Sequence, residues 1–141
     1  MCYNTYIKSK AGILSMERTL KPLNGYKEMK WAIEKAGAWF IGSFMCELVD
    51  CYMEFQNKNS KTKFIEYFME EYDGVTDDMN QLRNRINLAI RIIESGMVID
   101  AMEYVLNTND EKFGCSESKI NAQFMIDRIR SGESKLPVFE A

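Results

Sequence analysis

The chain has no histidine. Its absence removes the commonest general base and the commonest activator of a serine or cysteine nucleophile, so any proton transfer falls to carboxylates, lysine or tyrosine. The four cysteines stand at 2, 46, 51 and 115 and form no C-x-x-C pair. A structural zinc site, which is built from clustered Cys and His, is therefore not expected. Cys46 and Cys51 flank apolar positions, where a thiol serves as a small hydrophobe, and a reducing, cytoplasmic setting is expected. There is no excess of basic charge: the net charge of -3 lacks the field that drives binding to a phosphate backbone, so a nucleic-acid partner is disfavoured. Long hydrophobic runs are missing too. Trp39–Met45 is short and Glu47 follows it, against the ~20 apolar residues that span a bilayer. The N-terminal residues carry no signal-peptide pattern, and no membrane partner is expected.

What is there is enough for one core. A chain of 141 residues that is 46% hydrophobic and 28% charged has the composition of an ordinary globular domain. Residues 1–24 read as a weakly structured leader, in which Ile13–Leu20 has room for two turns of helix before Pro22 and Gly25. Residues 25–131 read as a helical domain, and residues 132–141 as an irregular tail. Met29, Ala32, Ile33 and Ala36 keep the three-and-four spacing of an amphipathic helix, which Gly37 ends or bends. From Ala38 to Phe55 the apolar surface is so broad that the helix must be covered on more than one side, by its own bundle or by a second subunit. After a turn at 57–63, helical spacing resumes from Phe64 to Tyr72 and again from Val75 to Ile93. One long helix bent near Gly74 is the preferred reading. A shorter apolar segment over Met97–Leu106 follows, and the last helix reads as Glu117–Arg130, with Ser116 one N-cap candidate among several starts from Glu111 to Ser118. The sum is an all-α bundle of four to six helices. Nothing reads as a strand.

Within this pattern the acidic residues of two neighbouring helices stand out. Glu47 and Asp50, three apart on one helix, share a face, and Glu71 lies on the next. Carboxylates facing one another across a bundle are how helices hold a divalent cation. The stretch AIEKAG (32–37), the Glu47/Asp50 pair and EEYDGVTDDMNQL (70–82) resemble the all-α nucleoside triphosphate pyrophosphohydrolases of MazG type, over roughly residues 26–90. The resemblance implies a four-carboxylate magnesium site over a nucleotide's phosphates. Glu47 matches the first ligand, Asp50 stands where a second glutamate is expected, and Glu71 matches the third. In the register that keeps the apolar pattern in phase, Gly74 occupies the place of the fourth. The alternative register pairs Glu70 with Asp73 and turns the helix by ~100°.

A lost carboxylate weakens a site that must both generate the nucleophile and clamp the phosphates, while a pocket for base and sugar can survive. The reading that follows is a protein that binds a nucleotide or a nucleotide-derived signal in an acidic pocket between helices or subunits, with catalysis reduced or lost. A virus-encoded sequestering protein is one such case. The alternatives are an active magnesium-dependent pyrophosphohydrolase and a helical interaction module or inhibitor. The expected ligand-binding residues are Trp39, Glu47, Asp50, Glu71, Asp78 and Arg83, with Glu47, Asp50 and Glu71 as magnesium ligands. Asp78 is included as a stand-in for the missing ligand. Arg83, Arg85 and Arg91 offer guanidinium forks that match phosphate oxygens. A homo-oligomer is expected, because a small bundle with so apolar a helix commonly completes its core across a symmetry axis.

Overall fold

A computed structural model describes residues 7, 8, 14–72, 75–108 and 115–139, with residues 7, 8, 14, 15, 115 and 116 in backbone alone. Among the described residues six helices make up the all-α bundle: α1 Tyr26–Ala36, α2 Ala38–Asp50, α3 Lys58–Glu71, α4 Met79–Glu94, α5 Val98–Leu106 and α6 Cys115–Ser131. None of the helices among the described residues is long and apolar enough to cross a membrane.

The α1 stripe is as its spacing predicts, with Met29, Ala32, Ile33 and Ala36 fully buried. Gly37, at φ +100, turns the chain sharply from α1 into α2. Its N–H donates to the Ile33 carbonyl at 2.8 Å, and a Cβ there would stand 2.7 Å from the Trp39 indole nitrogen.

Helix α2 runs through the middle of the bundle and packs on α1, α4, α5 and α6. Its broad apolar surface is thus covered within the chain itself, where Phe40, Ile41, Met45 and Leu48 lose all exposure. Gly42 permits a close approach of α2 to α5 and α6. A Cβ there would lie 2.8 Å from Val105 Cγ1 and 2.9 Å from the Ser118 carbonyl.

Beyond Asp50 the expected continuation of α2 to Phe55 does not occur. The chain tightens into a 3-10 turn over Tyr52–Gln56, in which residues three apart align, so Tyr52 and Phe55 both enter the core. Over the expected turn at 57–63 the chain is helical from Lys58 on. Asn57 caps α3, its side chain accepting from the N–H groups of Asn59 (2.8 Å) and Ser60 (3.4 Å).

The preference for one long helix through Gly74 is also corrected. Helix α3 stops at Glu71 and α4 starts at Met79, while Asp73 and Gly74 lie outside the described residues. The Asp78 side chain accepts from Asn80 N–H (2.9 Å) and Gln81 N–H (3.3 Å). An aspartate that satisfies these N-terminal donors starts a helix rather than continuing one. Helix α6 starts at Cys115, within the range of starts from Glu111 to Ser118, so Ser116 lies inside it rather than capping it.

Of the expected helix over Ile13–Leu20, the described residues 14–20 are not helical, and Ile13 lies outside the described residues. Two short strands, β1 Ile7–Lys8 and β2 Leu14–Ser15, pair antiparallel, and Met16 bridges to Phe139, its N–H donating to the Val138 carbonyl at 2.8 Å. Met16 and Leu23 are buried. Residues 18–20 are held to the bundle by Glu94, a fully buried carboxylate at the end of α4. It accepts from Thr19 N–H (2.9 Å), Leu20 N–H (3.0 Å), the Thr19 hydroxyl (2.6 Å) and the Tyr52 hydroxyl (2.5 Å). Burial, and then the bond to Glu94, push the Tyr52 phenol well up from its ordinary value.

Candidate functional site

The acidic edge of α2 opens onto three clefts, each lined by Glu47. The largest, about 440 Å³, has Trp39, Ser43, Phe44 and Glu47 on one side and Tyr72, Glu117 and Asn121 on the others. Trp39, Ser43 and Glu47 fall on one face because they recur at i, i+4 and i+8 along α2. Phe44 supports the wall, its ring centroid 4.9 Å from those of both Phe68 and Tyr72. A cleft of about 350 Å³ shares Ser43, Glu47 and Asn121 with it and is lined as well by Cys46, Asp50 and Phe124.

Each of the three expected magnesium ligands has a different environment. Glu47 accepts a short hydrogen bond from the Tyr72 hydroxyl. This bond is the main reason the Tyr72 phenol is pushed up, so the phenol stays a neutral donor. Asp50 is exposed and pairs with Arg128 at 3.5 Å. Glu71 is exposed at the last residue of α3, where its charge pushes the neighbouring Tyr67 phenol up. Among the described residues no three His, Cys, Asp or Glu side chains are grouped to hold a metal ion.

The Arg128 Nη1 that faces Asp50 also donates to Cys46 Sγ at 2.7 Å. Burial and the Asp50 carboxylate push the Cys46 thiol up, with Arg128 opposing them. Cys46 is accordingly a protonated thiol at neutral pH, without the thiolate character of a nucleophile.

Of the other expected residues, Trp39 is half-buried and stands at the junction of two clefts. Asp78 is the α4 cap. Arg83 is half-buried on α4, where its charge makes a small contribution to lowering the proton affinity of Lys61, which burial mainly lowers. Trp39 and Glu47 therefore meet in one cleft and Glu47 and Asp50 in another, while Glu71, Asp78 and Arg83 line none of these three clefts.

The structure brings Arg85 forward instead. A second cleft at Trp39, about 390 Å³, lies at the α1–α2 corner and is lined by Glu34, Lys35, Trp39, Arg85, Tyr104 and Thr108 among others. The Arg85 guanidinium carbon sits 5.3 Å from the Trp39 ring centroid and 6.0 Å from that of Phe40. Its Nη1 donates to the carbonyl of Ala36, the last residue of α1. Burial alone lowers the proton affinity of this arginine. Across the cleft the Tyr104 hydroxyl donates to Glu34 at 2.7 Å, a bond that with burial pushes the phenol up to about 12. Arg83 and Arg85 both border the buried stripe Leu82, Ile86, Ala89 and Ile90, so helical spacing alone does not separate them.

Comparison of the chain with protein-family models, curated proteins and solved structures found no match.

Proposed function

We propose that this chain binds a nucleotide or a nucleotide-derived small molecule in the Trp39–Glu47 cleft, with hydrolysis reduced or lost. The observation that carries this reading is the cleft of about 440 Å³ walled by Trp39 and rimmed by Ser43, Glu47, Glu117 and Asn121. Small-molecule sites are concave, roughly 300–1,000 Å³, and combine an apolar or aromatic wall with a few polar groups that fix orientation. An indole face suits a nucleobase, and hydroxyl, amide and carboxylate groups suit its edge and the ribose hydroxyls. The engagement of Glu47 by Tyr72 and of Asp50 by Arg128 favours binding over turnover, because a metal-assisted mechanism needs these oxygens free and convergent.

Thermal unfolding against linear and cyclic nucleotides, with and without magnesium, tests this reading, since a ligand of the folded state raises the midpoint by mass action. Stabilisation without product is expected, and Trp39→Ala is expected to abolish it. Release of pyrophosphate would replace the binder with the pyrophosphohydrolase, and a flat panel would remove the nucleotide.

A second reading, self-association, draws support from α6. Ile120 and Phe124, one turn apart, are 68% and 53% exposed beside Asn121, which lines two of the clefts. A second copy seated there would enclose both clefts. Sedimentation of the wild type against Phe124→Glu tests it, with dissociation expected in the variant.

A further inference from the structure

We propose that the cleft at the α1–α2 corner receives the phosphate of a phosphate-ester ligand, with the Arg85 guanidinium as the contact group and the Trp39 indole beside it. The proposal rests on the nucleotide reading for its choice of a phosphate ester. Its choice of residue stands on Arg85 alone.

Arg85 is a partly buried cation, and among the described residues it has no carboxylate partner: the ion pairs there join Arg91 to Glu28, Arg128 to Asp50 and Arg130 to Glu103. Glu34, the carboxylate in this cleft, is engaged by Tyr104, and Lys35 adds a second positive charge to the lining. The cleft therefore presents two cations against one carboxylate. Arg85 Nε is buried with no hydrogen-bond partner. Stacking on Trp39 and Phe40 stabilises the guanidinium face but leaves that in-plane N–H unsatisfied. A buried charge and a buried donor are both costly unless something supplies the counter-charge and the acceptor. A phosphate supplies both, because its oxygens match the guanidinium fork in a planar, two-bond contact.

Trp39 connects this cleft to the larger one. It lines both, with Arg85 on one side and Glu47 on the other. A nucleotide with its base against the indole can thus direct its phosphate to the cationic cleft and its ribose edge to the acidic one. This arrangement keeps the phosphate away from Glu47 and Asp50, whose charges would repel it in the absence of a metal.

The test uses Trp31→Phe as background, which leaves Trp39 as the sole tryptophan of the chain. Its fluorescence is followed against inorganic pyrophosphate, AMP and adenosine, with calorimetry on the same samples. Pyrophosphate and AMP are expected to bind saturably and AMP at least tenfold more tightly than adenosine. Arg85→Gln is expected to weaken both anions tenfold or more. Arg85→Lys, which keeps the charge but not the fork, is expected to weaken them at least threefold and covers the case in which the glutamine variant does not fold. Arg130→Gln, a change of equal charge on the outer face of α6, should bind as the background does.

If AMP binds the Arg85 variants as it binds the background, or adenosine binds as tightly as AMP, the Arg85 assignment is overturned while nucleotide binding stands. Arg85-dependent binding of pyrophosphate that AMP cannot match would keep the anion site and overturn the nucleotide. No binding of any probe would overturn both.

Discussion

Glu94→Ala should be among the most damaging substitutions outside the apolar core. The carboxylate is fully buried and accepts four hydrogen bonds, two of them from backbone N–H groups of residues 19 and 20. Bonds to an ionised acceptor are worth about 1.5–3 kcal/mol each, which bounds the loss at about 6–12 kcal/mol. Two effects reduce it. Thr19 is exposed, so the donors of residues 19 and 20 recover water once the segment lifts. Truncation also removes the desolvation cost of the buried charge. What remains is the Tyr52 hydroxyl of a residue 1% exposed, stranded at about 1–3 kcal/mol, and an unfilled void worth about 1–2 kcal/mol. A total of about 2–5 kcal/mol corresponds to a fall of about 7–17 °C in Tm for a chain of this size.

Thermal and urea denaturation of Glu94→Ala, Tyr52→Phe and the double variant measure it. Because the two side chains share a bond of 2.5 Å, the double-mutant cycle is expected to show at least ~1 kcal/mol of coupling. A single-variant cost below ~1 kcal/mol, or an additive cycle, would refute the reasoning.

Gly42→Ala gains about 1 kcal/mol of helix propensity but drives a methyl into the Ser118 carbonyl and Val105. A net loss of about 1–2 kcal/mol in urea denaturation is expected from overpacking. Asp78→Ala should cost about 1 kcal/mol through the lost α4 cap, while AMP affinity measured by calorimetry stays unchanged. At alkaline pH the fold should loosen. The phenols of Tyr52 and Tyr104 are raised from an ordinary value of 10.0. Their contribution is complete below about pH 10 and is lost as pH rises above it, over 10–12 for Tyr104 and higher for Tyr52. Ultraviolet difference absorbance should show Tyr52 ionising only as the chain unfolds, and Tyr52→Phe should remove that part of the alkaline transition.

The parts of the fold that were legible in the sequence are those in which one period explains every apolar residue. Met29, Ala32, Ile33 and Ala36 of α1, and Leu82, Ile86, Ala89 and Ile90 of α4, are spaced for burial and are fully buried. Boundaries were illegible where two local preferences competed. Val75 and Met79 continue the helical spacing of α3, yet Asp78 turned toward the backbone and capped a new helix. Tyr52 and Phe55 fit the α2 spacing as well as a 3-10 turn, and burying both against the core decided for the turn. Glu94 was legible in principle, because it stands four residues beyond Ile90 and eight beyond Ile86 on the buried stripe of α4. Its acceptors are filled by residues some 75 positions earlier, a distance at which periodicity carries no information.

The candidate site follows the same division. Trp39 and Glu47 share a face of one helix, so their meeting in one cleft needed no knowledge of tertiary structure. Arg85 differs, because what singles it out from Arg83 and Arg91 is the corner at Gly37. That corner leaves the Ala36 carbonyl unpaired at the negative end of α1, where a cation is favoured. Capping alone would account for Arg85 as a structural residue. A guanidinium carries five N–H donors, however, and the cap uses Nη1 while Nε stays buried without an acceptor. A lysine would cap the same carbonyl through one ammonium and strand no buried Nε, so the cap does not explain why an arginine stands here. The phosphate proposal does, and it makes the comparison of Arg85→Lys with Arg85→Gln the decisive one. Equal stability with unequal anion affinity is the outcome expected of a binding residue, and the reverse is expected of a cap.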